Sequence, residues 1–105
     1  MDIYMIYVTA KDGAEARRIG EHLVRAHLAA CVNIFEGMNS IYFWDDTLQN
    51  DTEAVMIAKT VKAKVTAVTE AIRRMHSYDC PCVLALPVAE GNPDFMGWIA
   101  AQVAV

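Results

Sequence analysis

Apolar and polar residues alternate along the chain in patterns typical of both strands and helices. Short runs of β-branched and aromatic residues between turn residues predict strands. Stretches in which apolar residues recur every three or four positions predict amphipathic helices. The predicted strands are residues 3–9, 29–34 (resuming as 39–44), 52–61 and 83–87. The predicted helices are residues 14–26, 62–75 and 94–101.

Capping and turn residues mark the ends of several of these elements. Asp12 is predicted to cap the first helix, and Glu15, three residues later, indicates a reciprocal capping box. Gly37 predicts a bulge, and residues 45–47 predict the turn that joins the second and third strands. The Asn92-Pro93 pair is typical of a helix start, with the asparagine as cap.

The resulting order, β-α-β-β-α-β followed by a helix, is that of the ferredoxin-like fold. Two split βαβ units then form an antiparallel sheet with two helices on one face. The 105 residues predict a single α+β domain, 1–105, with a long hairpin and an extra C-terminal helix. The strands look apolar on both faces, so the second face needs a cover. Pairing between copies through the long hairpin would provide one, and we expect a closed homo-oligomer.

Composition narrows the classes of function. The net charge is −4 and no basic stripe is present, which argues against nucleic-acid binding. No apolar run approaches the ~20 residues that a membrane span needs, and the N-terminus does not resemble a signal peptide. We therefore expect a cytoplasmic protein in which the three cysteines are free thiols. Cys31 lies in an apolar strand and is expected to be a buried structural thiol.

The densest group of ligand-type side chains lies between the second helix and the fourth strand. His76, Asp79, Cys80 and Cys82 fall within seven residues. Thiolates suit Cu(I) and Zn(II), and an imidazole nitrogen and a carboxylate oxygen could complete a site. Two other interpretations stay open. The cysteines could be small buried side chains, and the imidazole could cap the end of the second helix.

Several stretches of the chain resemble the CutA family of divalent-cation tolerance proteins. They are AACVNI at 29–34, SIYFW at 40–44, Glu53 with Lys59-Thr60, HSY at 76–78, ALPV at 85–88, and Phe95 with Trp98-Ile99. The resemblance implies a ferredoxin-like homotrimer in which long hairpins pair between subunits. It also implies a link to metal tolerance, binding of divalent cations, copper above all, and architectural kinship with the trimeric PII signalling proteins. It implies no known enzymatic reaction.

Some positions depart from the family pattern. Copper ligation proposed for bacterial members uses a cysteine on the first strand and two adjacent histidines, which correspond here to Val8, Met75 and His76. Met75 could still bind Cu(I), and the Cys80-x-Cys82 pair could substitute for the missing ligands. The usual Trp-x-Gly turn is here Trp44-Asp45-Asp46, which predicts a different form of hairpin turn.

Four residues that match the family pattern are expected to line a cleft between subunits: Trp44, Glu53, Lys59 and Tyr78. Glu53 and Lys59 share one face of a strand but lie roughly 20 Å apart along it, so they should not pair with each other. The alternative for Trp44 and Tyr78 is simple packing at a subunit interface.

The leading hypothesis is a homotrimeric protein of metal tolerance that requires no cofactor and has no catalytic turnover. Its copper or zinc ligands would be His76 and Cys82, assisted by Cys80, Met75 or Asp79.

A second hypothesis is a PII-like signalling or adaptor trimer. Its clefts would bind a small anionic ligand or a partner protein through Trp44, Lys59 and Tyr78. An enzyme that uses a Cys-His pair is disfavoured, because no third group that would orient the pair is evident.

Overall fold

The computed structural model describes residues 2–104. The strands are β1 (Ile3–Ala10), β2 (Cys31–Trp44), β3 (Thr47–Val61) and β4 (Val83–Pro87). The α-helices are α1 (Gly13–Arg25), α2 (Val65–Met75) and α3 (Pro93–Gln102), and a 3₁₀ turn at Lys62–Lys64 precedes α2. The predicted order of elements is confirmed, and most boundaries lie within three residues of the predicted ones.

The four strands form one antiparallel sheet in the order β2-β3-β1-β4. The central strand β1 pairs with β3 on one side and β4 on the other, so that Ile6 lies opposite both Ala58 and Ala85. This strand order follows from two split βαβ units, and it confirms the predicted α+β class with an antiparallel sheet.

The core lies between one face of the sheet and helices α1 and α2. Side chains alternate between the faces of a strand, so Ile6 and Val8 of β1 point to the same side, and both are fully buried. The helices contribute side chains at helical spacing, which are Ile19 and Leu23 from α1 and Val68 and Ile72 from α2. Burial of each large side chain stabilises the fold by about 1.5–3 kcal/mol.

We call the other side of the sheet the open face. Helix α3 covers one end of it, where Ile99 packs with Ile3 in a second small core. Beyond α3 the face carries exposed apolar side chains. Phe35 and Leu84 are each 59% exposed and Leu86 is 51% exposed. The prediction that the strands are apolar on both faces is therefore confirmed.

The β2-β3 hairpin is longer than the sequence predicted. β3 begins at Thr47 rather than at residue 52, and β2 runs without a break through the bulge between Phe35 and Met38. The predicted role of Gly37 is confirmed, since its φ of +74° suits a glycine.

The hairpin turn contains two residues rather than the three that were predicted. Asp45 and Asp46 have φ values of +50° and +60°, as a two-residue type I′ turn requires. Trp44 and Thr47 pair directly on either side of it.

The end of the hairpin projects from the rest of the molecule. We call residues 38–53 the arm. The molecule measures 45 × 25 × 21 Å, and its radius of gyration of 14.3 Å exceeds the ~13 Å expected of a compact chain of this length. Most arm residues are exposed on both faces, so the two strands of the arm are held mainly by each other.

Among residues 2–104, no helix combines the length and the apolar character that a membrane crossing requires.

Candidate functional site

A groove of about 510 Å³ opens between the arm and the loop that follows α2. We call it the arm groove. Its lining combines aromatic rings, carboxylates and thiols: Thr9, Tyr42, Trp44, Gln49, Glu53, Tyr78, Asp79, Cys80 and Cys82. Six of the nine site residues predicted from the sequence therefore lie in one place, although the sequence assigned them to two separate sites.

The arm side of the groove is set by the register of the hairpin. Tyr42 lies opposite Gln49, and Trp44 is two residues further along the same strand, so all three side chains share one face. That face continues into the open face of the sheet. Glu53 and Val55 are two residues apart on β3 and share this face, and Val55 lies opposite Thr9 of β1. The places of Tyr42, Gln49 and Thr9 in the groove were not predicted from the sequence. The alternation of side chains around Trp44 is the one signal that could have indicated Tyr42.

Two tyrosine hydroxyls on the groove donate hydrogen bonds to carboxylates. The hydroxyl of Tyr78 donates to Glu53 Oε2 at 2.8 Å, which links the loop to the arm. The hydroxyl of Tyr42 donates to Asp51. The first bond bridges the groove between loop and arm, and the second lies within the arm.

The carboxylates give the groove a negative potential, which is reflected in the raised pKa values of its two tyrosines. Burial and the hydrogen bond to Glu53 raise the pKa of Tyr78 well above its usual value. The hydrogen bond to Asp51, together with the nearby charge of Glu53, raises the pKa of Tyr42. Both hydroxyls thus remain protonated donors, and the surroundings favour a cation over an anion.

The loop side of the groove is anchored by a buried carboxylate. Glu15 is only 3% exposed. Its Oε1 accepts a hydrogen bond from the N–H of Lys11 at 3.1 Å, and its Oε2 accepts one from the N–H of Ser77 at 3.0 Å. The predicted cap at Asp12 is confirmed by the bond from the N–H of Glu15. The reciprocal half of the capping box is wrong, because the carboxylate binds the loop instead of Asp12.

The pKa of Glu15 reflects these contacts. Burial alone would raise it, but hydrogen bonds from the Ser77 hydroxyl and from the N–H groups of Lys11 and Ser77 outweigh burial. The net result is a pKa below its usual value. Glu15 is therefore held as a carboxylate that fixes the start of the loop.

The ring of His76 is buried beneath the groove and both of its nitrogens are hydrogen-bonded. Nε2 donates to the carbonyl of Thr9 at 2.7 Å, and Nδ1 accepts from the N–H of Tyr78 at 3.0 Å. The carbonyl of Thr9 can only accept, so Nε2 carries a proton in this contact. The ring also packs against Tyr78, with 4.7 Å between centroids.

These contacts give His76 a structural role. No ring nitrogen is left for a metal in this arrangement, which argues against the predicted ligation. The ring does not cap α2 either. Only the backbone N–H of His76 bonds back to the helix, at Ile72, so the interpretation as a side-chain cap is wrong.

Comparison with known proteins places the chain in a family. A model of the CutA1 divalent ion tolerance protein family matches residues 4–102. The chain belongs to this family.

Relatives from distant organisms support the assignment to the CutA1 family. The divalent-cation tolerance protein CutA of Archaeoglobus fulgidus is 42% identical over 98 residues, which are 93% of this chain and 95% of that protein. The protein CutA homolog of Xenopus laevis is 41% identical over 93 residues, 89% of this chain. The chain spans only 62% of the length of that Xenopus protein.

Solved CutA1 structures have the same architecture. The divalent ion tolerance protein CutA1 of Ehrlichia chaffeensis superposes with a TM-score of 0.95 at 33% identity, covering 99% of this chain and 97% of that one. The Archaeoglobus protein, whose solved structure is described as that of a periplasmic protein, superposes with a TM-score of 0.93 at 40% identity. The match covers 96% of this chain and 98% of that one. The cytoplasmic location expected here therefore stays a prediction.

Two of the three positions that correspond to proposed copper ligands of bacterial CutA1 proteins face the core. Val8 is fully buried beneath the helices, and Met75 packs against the same core. Neither residue lines the arm groove. This chain therefore offers a different set of donors.

Lys59 lies apart from the groove. Its ammonium group is 5.4 Å from the centroid of the Phe95 ring, at the end of the open face that α3 covers. As expected, it does not pair with Glu53, whose partner is Tyr78. Cys31 is half-buried on the open face, opposite Lys59, so its predicted full burial is wrong.

The donors line the same groove but do not form a closed metal site. Within residues 2–104, no three His, Cys, Asp or Glu side chains converge tightly enough to hold a metal ion. Cys80 and Asp79 are exposed and Cys82 is half-buried. The groove therefore offers two thiols and two carboxylates on an open surface that continues into the open face.

Proposed function

We propose that this chain binds a soft or borderline metal ion, copper or zinc, in the arm groove and acts in metal tolerance without catalytic turnover. The observation that carries this proposal is the joint presence of Cys80, Cys82, Glu53 and Asp79 on one negatively charged groove. Thiolate and carboxylate donors together suit Zn(II), and thiolates suit Cu(I). Membership of a divalent ion tolerance family supports the same conclusion.

In this proposal the two thiolates are the principal ligands. Asp79 adds a carboxylate from the same loop, and Glu53 adds one from the arm. His76 contributes by fixing the loop through Thr9 and Tyr78 rather than by binding the ion. Met75, which packs against the core, is left out of the ligand set.

We propose that the working form is a homotrimer. Phe35 at one edge of the open face and Leu84 and Leu86 at the other edge are exposed apolar side chains, which a second copy would cover. Because the arm groove continues into this face, a neighbouring subunit would approach the groove and could supply the remaining ligand. A ligand from a second subunit would explain why the donors of one chain alone do not close around an ion.

The charge of the groove weighs against the PII-like alternative. An anionic ligand would meet Glu53 and Asp79, whereas the predicted cation partner, Lys59, lies against Phe95 at another site. The paired nitrogens of His76 weigh against the enzyme alternative, because this imidazole is not free to act as the base of a Cys-His pair.

The test is equilibrium dialysis of the reduced, untagged protein against Zn(II), and against Cu(I) held in a buffer. We expect Cys80→Ser and Cys82→Ser each to weaken zinc binding by about 10-fold or more, since each removes a thiolate ligand. Cys31→Ser is the matched control, because it removes a thiol outside the groove. Affinities unchanged in both groove variants, or equally reduced in all three, would overturn the proposal.

A further inference from the structure

The Cys80-Pro81-Cys82 segment places two free thiols one residue apart on the wall of the arm groove. Cys80 is exposed and Cys82 is half-buried. Cys31, the third thiol, lies outside this groove, opposite Lys59 on the open face. An accessible thiol and a protected neighbour are the two parts that an internal disulfide exchange needs.

The spacing of the two cysteines permits a bridge between them. Two residues of chain span at most about 7 Å, and disulfides join Cα atoms roughly 4.4–6.8 Å apart. In an extended segment, residues two apart project to the same side. Residues 77–82 belong to no helix or strand, so a small change of backbone there breaks no ladder of hydrogen bonds.

Pro81 and the anchored start of the loop limit that movement. The pyrrolidine ring fixes φ of the intervening residue near −65°. Glu15 and His76 hold Ser77 and Tyr78 on one side, and β4 begins at Val83 on the other. The two thiols are therefore confined to a short tether, which keeps each one near the other.

We propose that Cys80 and Cys82 form a reversible thiol–disulfide site that switches metal binding in the arm groove off and on. This inference rests on the proposed function, since it takes the same two sulfurs to be the principal ligands. The oxidant is a low-molecular-weight disulfide, such as oxidised glutathione.

The exchange takes place in two steps. The thiolate of Cys80 attacks one sulfur of the small disulfide, a mixed disulfide forms, and one small thiolate leaves. The thiolate of Cys82 then attacks the Cys80 sulfur, the Cys80–Cys82 bond forms, and the second small thiolate leaves. Two electrons pass to the oxidant, and the two protons from the cysteines go to the two released thiols.

Metal and disulfide compete for the same sulfur atoms. A disulfide has no thiolate to donate, so oxidation removes two ligands at once. By linkage, an ion bound by the thiolates must protect them from oxidation to the same extent. Oxidising conditions would thus release the ion, and reducing conditions would restore binding.

The test uses the full chain, incubated in glutathione buffers of increasing oxidised fraction, blocked with an alkylating reagent and weighed by mass spectrometry. We expect a species two hydrogen atoms lighter in which only Cys31 is alkylated. Cys31→Ser should form the same disulfide, whereas Cys80→Ser and Cys82→Ser should not. Added zinc should slow its formation about 10-fold or more in the wild type.

Two results would overturn the inference. One is alkylation of all three thiols at every oxidised fraction. The other is oxidation that stops at a mixed disulfide with glutathione or at a bridge between chains. Zinc dialysis of the reduced protein distinguishes this failure from that of the proposed function. If reduced protein binds zinc but forms no internal disulfide, the switch alone is wrong. If it binds no zinc, the metal proposal fails.

Discussion

Glu15 and His76 are buried polar side chains whose hydrogen bonds set the position of the groove loop. Glu15 accepts from Ser77, and His76 joins Thr9 of β1 to the N–H of Tyr78. A buried group that loses its partner costs about 1–3 kcal/mol, so each bond is a strong constraint on the loop. The loop thus starts from a fixed point, although Cys80 further along it is exposed.

The first prediction concerns Glu15 and acid stability. Because the pKa of Glu15 is lowered in the folded protein, the unfolded chain binds more protons than the folded chain as the pH falls below about 4.5. The free energy of unfolding therefore decreases as the pH falls through the folded pKa. We expect Glu15→Gln to lower the free energy of unfolding by about 1–3 kcal/mol at neutral pH and to reduce its fall in acid.

The measurement is urea unfolding at fixed protein concentration between pH 3 and pH 7. Glu70→Gln is the matched control, since that carboxylate pairs with Arg73 on an exposed face of α2. A variant at Glu15 with the same acid dependence as the wild type would contradict the assignment.

At this scale the sequence revealed only contacts that are local. The spacing of Asp12 and Glu15 predicted the helix cap, and the seven residues from 76 to 82 stood out by composition alone. The bond from Ser77 to Glu15 joins residues 62 apart. No periodicity or spacing encodes such a contact, so the burial of Glu15 and the pairing of both His76 nitrogens were missed.

The β2-β3 hairpin is the element in which local propensity and the observed structure differ most. Residues 47–51 are mostly polar and look like loop, yet they pair in register with β2. Their side chains need no buried face, because the arm is exposed on both sides and backbone hydrogen bonds alone fix the pairing. Polar patterning therefore underestimated the length of β3, whereas the apolar strands β1 and β4 were predicted almost to the residue.

The second prediction concerns the hairpin turn. Asp46 has a φ of +60°, which costs an L-residue roughly 1–2 kcal/mol and costs glycine almost nothing. Because glycine also loses more backbone entropy, we expect Asp46→Gly to raise the free energy of unfolding by only about 0.5 kcal/mol. Asp46→Val should lower it by about 1 kcal/mol, since a β-branched residue tolerates this φ poorly.

Urea midpoints measured at one protein concentration would show both effects. The idea fails if the glycine and valine variants are equally stable, because the backbone at position 46 would then not be left-handed.

At the scale of the whole molecule, the open face is the surface whose apolar side chains a single chain leaves exposed. Leu84 and Leu86 on the edge strand β4 and Phe35 on the edge strand β2 are more than half exposed. The two edge strands also present unpaired backbone groups, which natural proteins usually cover or pair. Sequence patterning predicted this second apolar face, and it could do so because alternation along a strand is a local property.

The third prediction tests the trimer. Leu84→Glu places a charge on the open face, where association would have to bury it, so we expect the native mass to fall from that of a trimer towards that of one chain. Val24→Glu is the control, since that valine is 37% exposed on α1, away from the open face.

Light scattering coupled to size-exclusion chromatography gives both masses, and circular dichroism confirms that each variant is folded. A trimeric mass in the folded Leu84→Glu variant, or a single-chain mass in the wild type, would rule out this interface.

The arm has a further consequence, which concerns local opening. One wall of the arm groove is a two-stranded ribbon with almost no core beneath it, so its amide hydrogens should exchange with solvent well before those of β1. A ligand that joins the arm to the Cys80 loop would tie this ribbon to the rigid part of the fold. Hydrogen exchange in residues 38–53 would then report the occupancy of the groove, and part of the binding energy would be spent on holding the ribbon still.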